Sequence, residues 1–258
     1  MNTLKGTSER VLAVMIEAAR VAGDIAMRYY RDGVDVVLKP DQTPVTQADR
    51  EAEQAIVKIL TTAFPGVGIL GEEFGGQGSK DRRFIIDPID GTKNFIRHIP
   101  VWATLIGYEE NGAITAGVMH NPATAELLSA RRGAGASLNG RRVHVSDVNE
   151  LHKTQLIHAG LDILRASGHW DNFVRLVDAS DRQRGFGDFM GYSLVAEGKA
   201  DIYLEADLKP WDLAACKIVI EEAGGRFTDW EGKPTIYSGT ALATNGRVHD
   251  AVLALLNG

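Results

Sequence analysis

Apolar residues in the first part of the chain recur every three or four positions, which is the period of an amphipathic helix. This spacing predicts one helix over residues 8–31, with Ser8 as its N-cap, and a second over residues 46–63, capped by Thr46. Residues 33–45 contain two prolines and a glycine, so a short strand and a mobile loop are expected there. The apolar faces of both helices should pack against a core.

Strands replace helices in the next part of the chain. After a short strand at residues 67–70, apolar runs separated by turn residues continue from 82 to 129. Asn111-Gly112 stands between two of these runs and is a strong signal for a tight β-hairpin, and Asn121-Pro122 marks the next turn. The pattern predicts an antiparallel β-meander.

The C-terminal part alternates between the two kinds of element. Strands are predicted at residues 154–160, 200–206, 226–228 and 240–244, and helices at residues 169–180, 189–198, 210–225 and 247–256. Pro210 and the Gly224-Gly225 pair occupy positions at which helices commonly begin and end. The whole pattern indicates a mixed α/β protein with stacked layers of sheet and helix, divided into an N-terminal lobe (1–150) and a C-terminal lobe (151–258).

Composition and charge narrow the class of protein. Of the 258 residues, 24% are charged and 44% are hydrophobic, which is ordinary for a globular protein. The formal net charge of -6 argues against a nucleic-acid partner, because nucleic-acid binders usually carry a basic surplus. No apolar run approaches the roughly 18 residues of a membrane span, and Cys216 is the only cysteine, so no internal disulfide can form. A cytoplasmic protein without nucleic-acid or membrane partners is expected.

Acidic residues occur at predicted strand ends or helix starts in three motifs: "GEE" (71–73), "DPIDGT" (87–92) and "PWD" (210–212). The field of a helix N-terminus stabilises an exposed anion by only about 0.3–1 kcal/mol, which is too little to gather several carboxylates. A divalent cation would suffice, and Mg²⁺ prefers hard oxygen ligands. Two such ions about 3.5–4 Å apart need one carboxylate that bridges them and others on each side. The candidate ligands are Glu72, Asp87, Asp90, Asp212 and the backbone carbonyl of Ile89.

The central motif has two further features that point to phosphate chemistry. Pro88 fixes its φ angle and so holds Asp87 and Asp90 in a rigid turn. Gly91 and Thr92 follow with a backbone N–H and a hydroxyl that suit a phosphate oxygen. The motif therefore combines candidate metal ligands with groups that suit a phosphate oxygen.

In this order the motifs, extended to "DPIDGTKNF" and "WDLAA", resemble the signatures of the inositol monophosphatase family, and the resemblance covers nearly the whole chain. It implies a Mg²⁺-dependent phosphatase with the layered α-β-α-β-α sugar-phosphatase fold, an antiparallel meander sheet and a smaller mixed sheet. It also implies two or three Mg²⁺ ions and a homodimer. The metal ligands that it implies are Glu72, Asp87, Ile89 (through its carbonyl), Asp90 and Asp212.

The resemblance also assigns the groups that act on water and phosphate. Asp49, in "PVTQAD", would pair with Thr92 and act with Glu72 to orient the attacking water and take its proton. Gly91 and Thr92 would bind the phosphate, and Lys39 matches a lysine on a mobile loop near the metals. These assignments predict a phosphate monoester hydrolase.

Residues 182–212 carry the signal for the substrate. Where inositol-specific members have Gly-Ser/Thr-Ala, this chain has Gly187-Asp188-Phe189, and the stretches "RGFGDFMGYSLVAEG" and "GTKNFIRHIPVWATL" resemble the histidinol-phosphate phosphatases of histidine biosynthesis. Asp188 and Glu205 would bind the ammonium or imidazole of that substrate, and Arg184 would reach its phosphate. The predicted substrate contacts are Glu72, Ile89, Asp90, Gly91, Thr92, Arg184, Asp188, Glu205 and Asp212.

Other interpretations stay open at this point. Asp188 could cap the helix that follows it, and Glu205 could be a solvated strand end. The substrate could be inositol 1-phosphate, or the enzyme could be a broad-specificity sugar or nucleotide phosphatase. A regulatory metal-binding protein without activity would be expected to lack some of the catalytic residues, whereas all of them are present.

Overall fold

The computed structural model describes residues 2–33, 36–38 and 44–258. The helices are α1 (Asn2–Asp32), α2 (Gln47–Ala63), α3 (Thr92–Phe95), α4 (Leu161–Ala166), α5 (Trp170–Ala179), α6 (Phe189–Ala196), α7 (Pro210–Glu222) and α8 (His249–Asn257), with a 3-10 turn at Leu151–Lys153. The strands are β1 (Val36–Leu38), β2 (Pro44–Thr46), β3 (Gly68–Gly71), β4 (Gly75–Gln77), β5 (Arg82–Asp90), β6 (Ala103–Glu110), β7 (Ala113–Asn121), β8 (Glu126–Arg131), β9 (Gly135–Leu138), β10 (Arg141–Arg142), β11 (Gln155–His158), β12 (Arg182–Arg184), β13 (Ile202–Ala206), β14 (Arg226–Thr228) and β15 (Thr240–Thr244).

Two large sheets organise the described residues. The first has the strand order β10-β9-β8-β7-β6-β5-β3-β4 and is an antiparallel meander apart from the parallel pair β3 and β5. The second has the order β12-β11-β13-β15-β14 and is mixed, because β11 runs parallel to both of its neighbours while β15 is antiparallel to both of its own. The short strands β1 and β2 form a separate antiparallel pair.

Helices cover both sheets and fill the space between them. Helices α1 and α2 pack on one face of the first sheet, through a cluster that includes Met15, Ile56 and Phe84. Helices α6 and α7 lie between the two sheets, and α4, α5 and α8 cover the outer face of the second sheet. The order of layers is therefore α-β-α-β-α, as expected from the sequence. None of the helices in the described ranges is long and apolar enough to cross a membrane.

The two N-terminal helices test the sequence prediction directly. Helix α2 begins after Thr46 as predicted, because the Thr46 hydroxyl accepts the backbone N–H groups of Ala48 and Asp49 while Asp49 Oδ2 accepts the Thr46 N–H at 2.7 Å. Helix α1 already begins at Asn2, so the prediction of Ser8 as its N-cap was wrong. The residues ahead of Ser8 carry little apolar periodicity, and the pattern therefore gave no signal for this extension.

The remaining differences concern short elements. The hairpin at Asn111-Gly112 is confirmed, and both residues take the positive φ angles (52° and 75°) that a tight turn of this kind needs. Strands β4, β9 and β12 were not predicted, because three or four paired residues rich in glycine or charge leave no alternation to detect. Helix α4 was not predicted either, because its six residues are too few to show a helical period. Residues 33–45 were predicted to form a short strand and a mobile loop; the strand is β1, and residues 34–35 and 39–43 of this stretch lie outside the described residues.

Helix α7 approaches the first sheet unusually closely, and this contact sets the position of the site. Gly107 of β6 and Gly117 of β7 are directly paired across the two strands. A Cβ atom on Gly107 would lie 2.5 Å from Ala214 Cβ and 3.2 Å from the backbone nitrogen of Ala215, both in α7. The paired glycines thus let the helix backbone rest on the sheet, two residues after Asp212 enters the helix.

This contact predicts that Gly107→Ala will push α7 away from the sheet. Overpacking of this kind costs about 1–3 kcal/mol, so the urea midpoint of unfolding should fall accordingly. Gly76→Ala is the matched control, because its Cβ would meet no atom closer than Leu70 Cδ1 at 3.7 Å. The control should change the free energy of unfolding by no more than about 0.5 kcal/mol. Equal midpoints for the two variants would contradict the close packing of α7.

Candidate metal centre and active site

Three carboxylates from distant parts of the sequence meet between the two sheets. Asp87 and Asp90 lie at the end of β5, and Asp212 lies in the first turn of α7. One oxygen from each carboxylate lies within 4.8 Å of the others. Asp87 and Asp90 are buried and Asp212 is half-buried. The convergence expected from the "DPIDGT" and "PWD" motifs is therefore observed.

Backbone N–H groups orient each of these three carboxylates. Asp87 Oδ1 accepts the N–H of Ile89 at 3.0 Å, which closes the turn around Pro88. Asp90 Oδ2 accepts the N–H of Phe189 at 2.7 Å, across 99 residues of sequence. Asp212 Oδ2 accepts the N–H of Lys209 at 2.7 Å, at the start of α7. Each side chain is held in place before any ligand arrives.

Glu72 lies beside the cluster, in the turn that follows β3. Its N–H donates to the carbonyl of Ile86 at 3.2 Å, so the turn stays attached to β5 just ahead of Asp87. The negative charge of Glu72 is among the causes that raise the pKa of Asp87 and of Asp212, which shows that the three groups are close enough to repel one another.

Burial and mutual repulsion disfavour negative charge throughout the cluster. Burial, followed by the charge of Glu72, raises the pKa of Asp87 well above its usual range. Burial, followed by the charges of Asp188 and Asp212, does the same to Asp90. Burial raises the pKa of Asp212 to about 7, with Glu72 and Asp188 acting in the same direction. Without a cation, burial and repulsion therefore favour the protonated form of these carboxylates.

The donor set fits Mg²⁺. All of the clustered groups offer carboxylate oxygens, which are the hard ligands that Mg²⁺ prefers. Oxygens on opposite sides of a Mg²⁺ ion lie about 4 Å apart, since each Mg–O distance is about 2.0–2.1 Å. The spacing of up to 4.8 Å between the three carboxylate oxygens is of that order. The residues present are thus suited to hold a hard divalent cation.

The predicted partners Asp49 and Thr92 both lie near this cluster, but the structure gives each a local hydrogen bond. Asp49 is buried at the start of α2, where the Thr46 hydroxyl donates to its Oδ2 at 2.6 Å. Thr92 Oγ1 donates to the carbonyl of Ile89 at 3.1 Å. Burial raises the pKa of Asp49 to about 7, and the nearby charges of Glu72 and Glu73 add to the effect.

The Ile89 carbonyl oxygen can accept one further hydrogen bond or bind a metal ion. A carbonyl oxygen has two lone pairs, and the Thr92 hydroxyl occupies one of them. Ile89 itself is buried in a small cluster with Ala48 and Phe95. This cluster packs the start of α2 against the turn that bears Gly91 and Thr92, and so brings Asp49 towards that turn.

Asp188 lies between Asp90 of the cluster and Glu205. It precedes α6 with φ 57° and ψ -156°, a conformation favoured by glycine and strained by about 1–3 kcal/mol for other residues. Its side chain does not cap α6, which was one of the alternatives; instead Oδ2 accepts a hydrogen bond from Asn94 Nδ2 at 2.8 Å. Burial raises the pKa of Asp188, while Lys93 and Asn94 act in the opposite direction.

Glu205 is buried in β13 and is not a solvated strand end. The Tyr192 hydroxyl donates to its Oε2 over a long 3.5 Å. The Tyr203 hydroxyl is also buried beside Glu205, outside ordinary hydrogen-bond geometry. Burial raises the pKa of Glu205 to about 8, and the charge of Asp188 is the next cause. Asp188 thus lies close to Glu205 on one side and to Asp90 on the other.

Two predicted residues are not placed near the carboxylates by the described residues. Arg184 lies on the edge strand β12, where its exposed guanidinium donates to the Gln183 carbonyl at 2.6 Å. No described contact joins Arg184 to the carboxylates. Lys39 lies outside the described residues.

Sequence reasoning missed Asn94, which links Asp188 to the Val101 carbonyl at 3.0 Å, and the buried carboxylate of Glu53. Nothing local marks Asn94, because its partner Asp188 is distant in sequence. Glu53 did carry a signal. It follows Asp49 by four residues and precedes the buried Ile56 by three, so a charged residue stands on the apolar face of α2.

Comparison with known proteins identifies relatives of this chain. The profile of the inositol monophosphatase family matches residues 7–257. The chain belongs to this family. Its sequence is 48% identical over 225 residues to a histidinol-phosphatase from Mycobacterium tuberculosis, covering 85% of this chain and 86% of that protein. A histidinol-phosphatase from Streptomyces coelicolor is 41% identical, with 96% of both chains covered.

The fold comparison agrees with the sequence comparison. An inositol monophosphatase structure from Anabaena superposes with a TM-score of 0.86 at 33% identity, covering 96% of this chain and 95% of that one. The inositol monophosphatase family consists of Mg²⁺-dependent phosphatases, so this chain is a phosphoric monoester hydrolase. The family resemblance and the layered fold expected from the sequence are both confirmed.

Proposed function

We propose that this protein is a histidinol-phosphate phosphatase, which hydrolyses L-histidinol phosphate to L-histidinol and phosphate. The observation that carries the proposal is a pair of carboxylates, the half-buried Asp188 and the buried Glu205, beside the cluster of Asp87, Asp90 and Asp212. The cluster suits a divalent cation, and the extra pair suits a positively charged leaving group. The names of the two bacterial relatives support the same substrate.

The residues proposed to hold Mg²⁺ are Glu72, Asp87, Asp90, Asp212 and the carbonyl of Ile89, and two or three ions are proposed. Bound Mg²⁺ supplies positive charge for the phosphate ester and lowers the pKa of water into the neutral range. The side chains of Asp87, Asp90 and Asp212 are already oriented by backbone N–H groups, so little rearrangement is needed on binding.

Asp49, Glu72 and Thr92 are proposed to orient the attacking water and to accept its proton. Asp49 suits this role because its pKa of about 7 lets it exchange a proton near neutral pH. For Thr92 to take part, its hydroxyl would rotate from the Ile89 carbonyl towards the water. The backbone N–H groups of Gly91 and Thr92 would hold the phosphate in line for attack.

Asp188 and Glu205 are proposed to bind the amine and imidazole of histidinol. A buried carboxylate without a cation is costly, and a cationic substrate would restore the charged form of both groups. Arg184 is proposed to reach the phosphate from β12. The substrate contacts Glu72, Asp90 and Asp212 would act through the metal.

The site is proposed to be shared between an N-terminal lobe (1–150) and a C-terminal lobe (151–258). Glu72, Asp87 and Asp90 come from the first lobe, whereas Glu205 and Asp212 come from the second. A homodimer in the cytoplasm is also proposed, on the strength of the family resemblance and of the single cysteine.

Inositol-1-monophosphatase activity is the second candidate. The likeness to the Anabaena inositol monophosphatase favours it, since the two folds superpose over nearly their whole length. A polyol such as inositol is neutral, however, and would leave the Glu205 carboxylate without a cationic partner.

The proposed activity predicts phosphate release from L-histidinol phosphate that requires Mg²⁺ and stops with a chelator. Its kcat/KM should exceed that for inositol 1-phosphate by at least about tenfold, which corresponds to one hydrogen bond to a charged group. Asp90→Asn is the control, because it keeps the shape of the side chain and should remove turnover with both substrates. A clear preference for inositol 1-phosphate would contradict the proposed substrate.

The role of Glu205 predicts a selective loss in the Glu205→Gln variant. The amide keeps the size of the side chain but loses its charge, so kcat/KM for histidinol phosphate should fall about 10- to 100-fold, mainly through KM. Hydrolysis of p-nitrophenyl phosphate, which has no amine, should change by less than about threefold. An equal loss with both substrates would show that Glu205 supports the fold or the metal instead.

A further inference from the structure

Glu53 is a buried carboxylate for which the proposed mechanism has no use. It lies in α2, four residues after Asp49, and is 0% exposed. A buried carboxylate is costly unless hydrogen bonds compensate for the lost water. Burial raises the pKa of Glu53, and the charges of Glu73 and Glu72 add to the effect. Its retention on an apolar helix face therefore needs a specific reason.

The carboxylate of Glu53 binds the turn that presents Glu72. Its Oε2 accepts the N–H of Glu73 at 2.9 Å, and its Oε1 accepts the N–H of Phe74 at 3.2 Å. These two residues directly follow Glu72. Both carboxylate oxygens are thus used to fix the backbone on the C-terminal side of the proposed metal ligand.

Gly71 shows that the carboxylate also contacts the N-terminal side of Glu72. A Cβ atom on Gly71 would lie 1.9 Å from Glu53 Oε1 and 2.6 Å from Glu53 Cδ. Any side chain at this position would therefore displace the carboxylate. Glu53 is enclosed by the backbone on both sides of Glu72, while the Glu72 N–H stays bonded to Ile86.

We propose that Glu53 is a positioning residue of the metal centre, which holds the turn 71–74 so that Glu72 faces Asp87 and Asp212. The inference rests on the proposed Mg²⁺ site and extends it to a residue that contacts neither metal nor substrate. Helix α2 then contributes two residues to the site: Asp49 at its start and Glu53 one turn later.

The test is Mg²⁺ binding by the Glu53→Gln variant, measured by calorimetry in the presence of inorganic phosphate and without substrate. A glutamine has a single acceptor oxygen, so its NH₂ group would face one of the two N–H donors and open the turn. Loss of a residue that orients a metal ligand commonly weakens metal binding about 10- to 100-fold, and we expect a rise of that size in the Kd for Mg²⁺.

Asp201→Asn is the matched control. Asp201 is likewise a buried carboxylate that accepts a backbone N–H, from Gln155 at 2.7 Å, but it lies outside the proposed site. Its substitution should lower stability while leaving the Kd for Mg²⁺ within about twofold. An equal weakening in the two variants, or an unchanged Kd in a folded Glu53→Gln protein, would overturn the proposal.

Two further measurements keep the inference open to test if Glu53→Gln fails to fold. Gly71→Ala displaces the same carboxylate from the other side and should weaken Mg²⁺ binding in the same way. In the unsubstituted protein, amide exchange at Glu73 and Phe74 should be slow and should slow further with Mg²⁺. Fast exchange at both would refute the two hydrogen bonds from these residues to Glu53. Failure of the unsubstituted protein to bind Mg²⁺ would refute the proposed metal centre and this inference together, whereas binding that Glu53→Gln leaves unchanged would refute the role of Glu53 alone.

Discussion

Repulsion among buried carboxylates is the constraint on which the rest of this structure depends. Asp87, Asp90 and Asp212 lie within reach of one small ion, and Glu72, Asp188 and Glu205 add negative charge around them. Such a group is unfavourable in its ionised form unless a cation is present. A divalent cation or a cationic substrate stabilises the ionised form of these carboxylates, which burial destabilises. Binding of either one is therefore favourable.

The fold holds these mutually repelling carboxylates together. Backbone N–H groups fix the carboxylates of Asp87, Asp90 and Asp212 individually. The paired glycines Gly107 and Gly117 let α7 rest on the first sheet and so bring Asp212 to the end of β5. The position of each charge is therefore set by backbone contacts.

Much of the fold and of the candidate site could be predicted from local sequence. The Thr46 cap, the Asn111-Gly112 hairpin and the acidic motifs at element ends are signals contained within a few residues, and each appears where it was expected. What could not be predicted depends on contacts between distant segments. The Asn94 bond to Asp188 joins residues 94 positions apart. The strained backbone of Asp188 likewise has no signature in an ordinary aspartate. Glu53 was recognisable as a charge on an apolar face, but its partners in the 71–74 turn were not.

The central claim is that Mg²⁺ replaces protons in this cluster, and the most direct test is the number of protons released when Mg²⁺ binds. Calorimetry at pH 7 in buffers of different ionisation enthalpy measures that number. Because burial raises the pKa of Asp212 to about 7 and those of Asp87 and Asp90 well above their usual range, Mg²⁺ uptake should release about one proton or more, since the ligands must be deprotonated. The number should fall as the pH rises further. Mg²⁺ uptake without proton release at pH 7, or no uptake at all, would contradict the account.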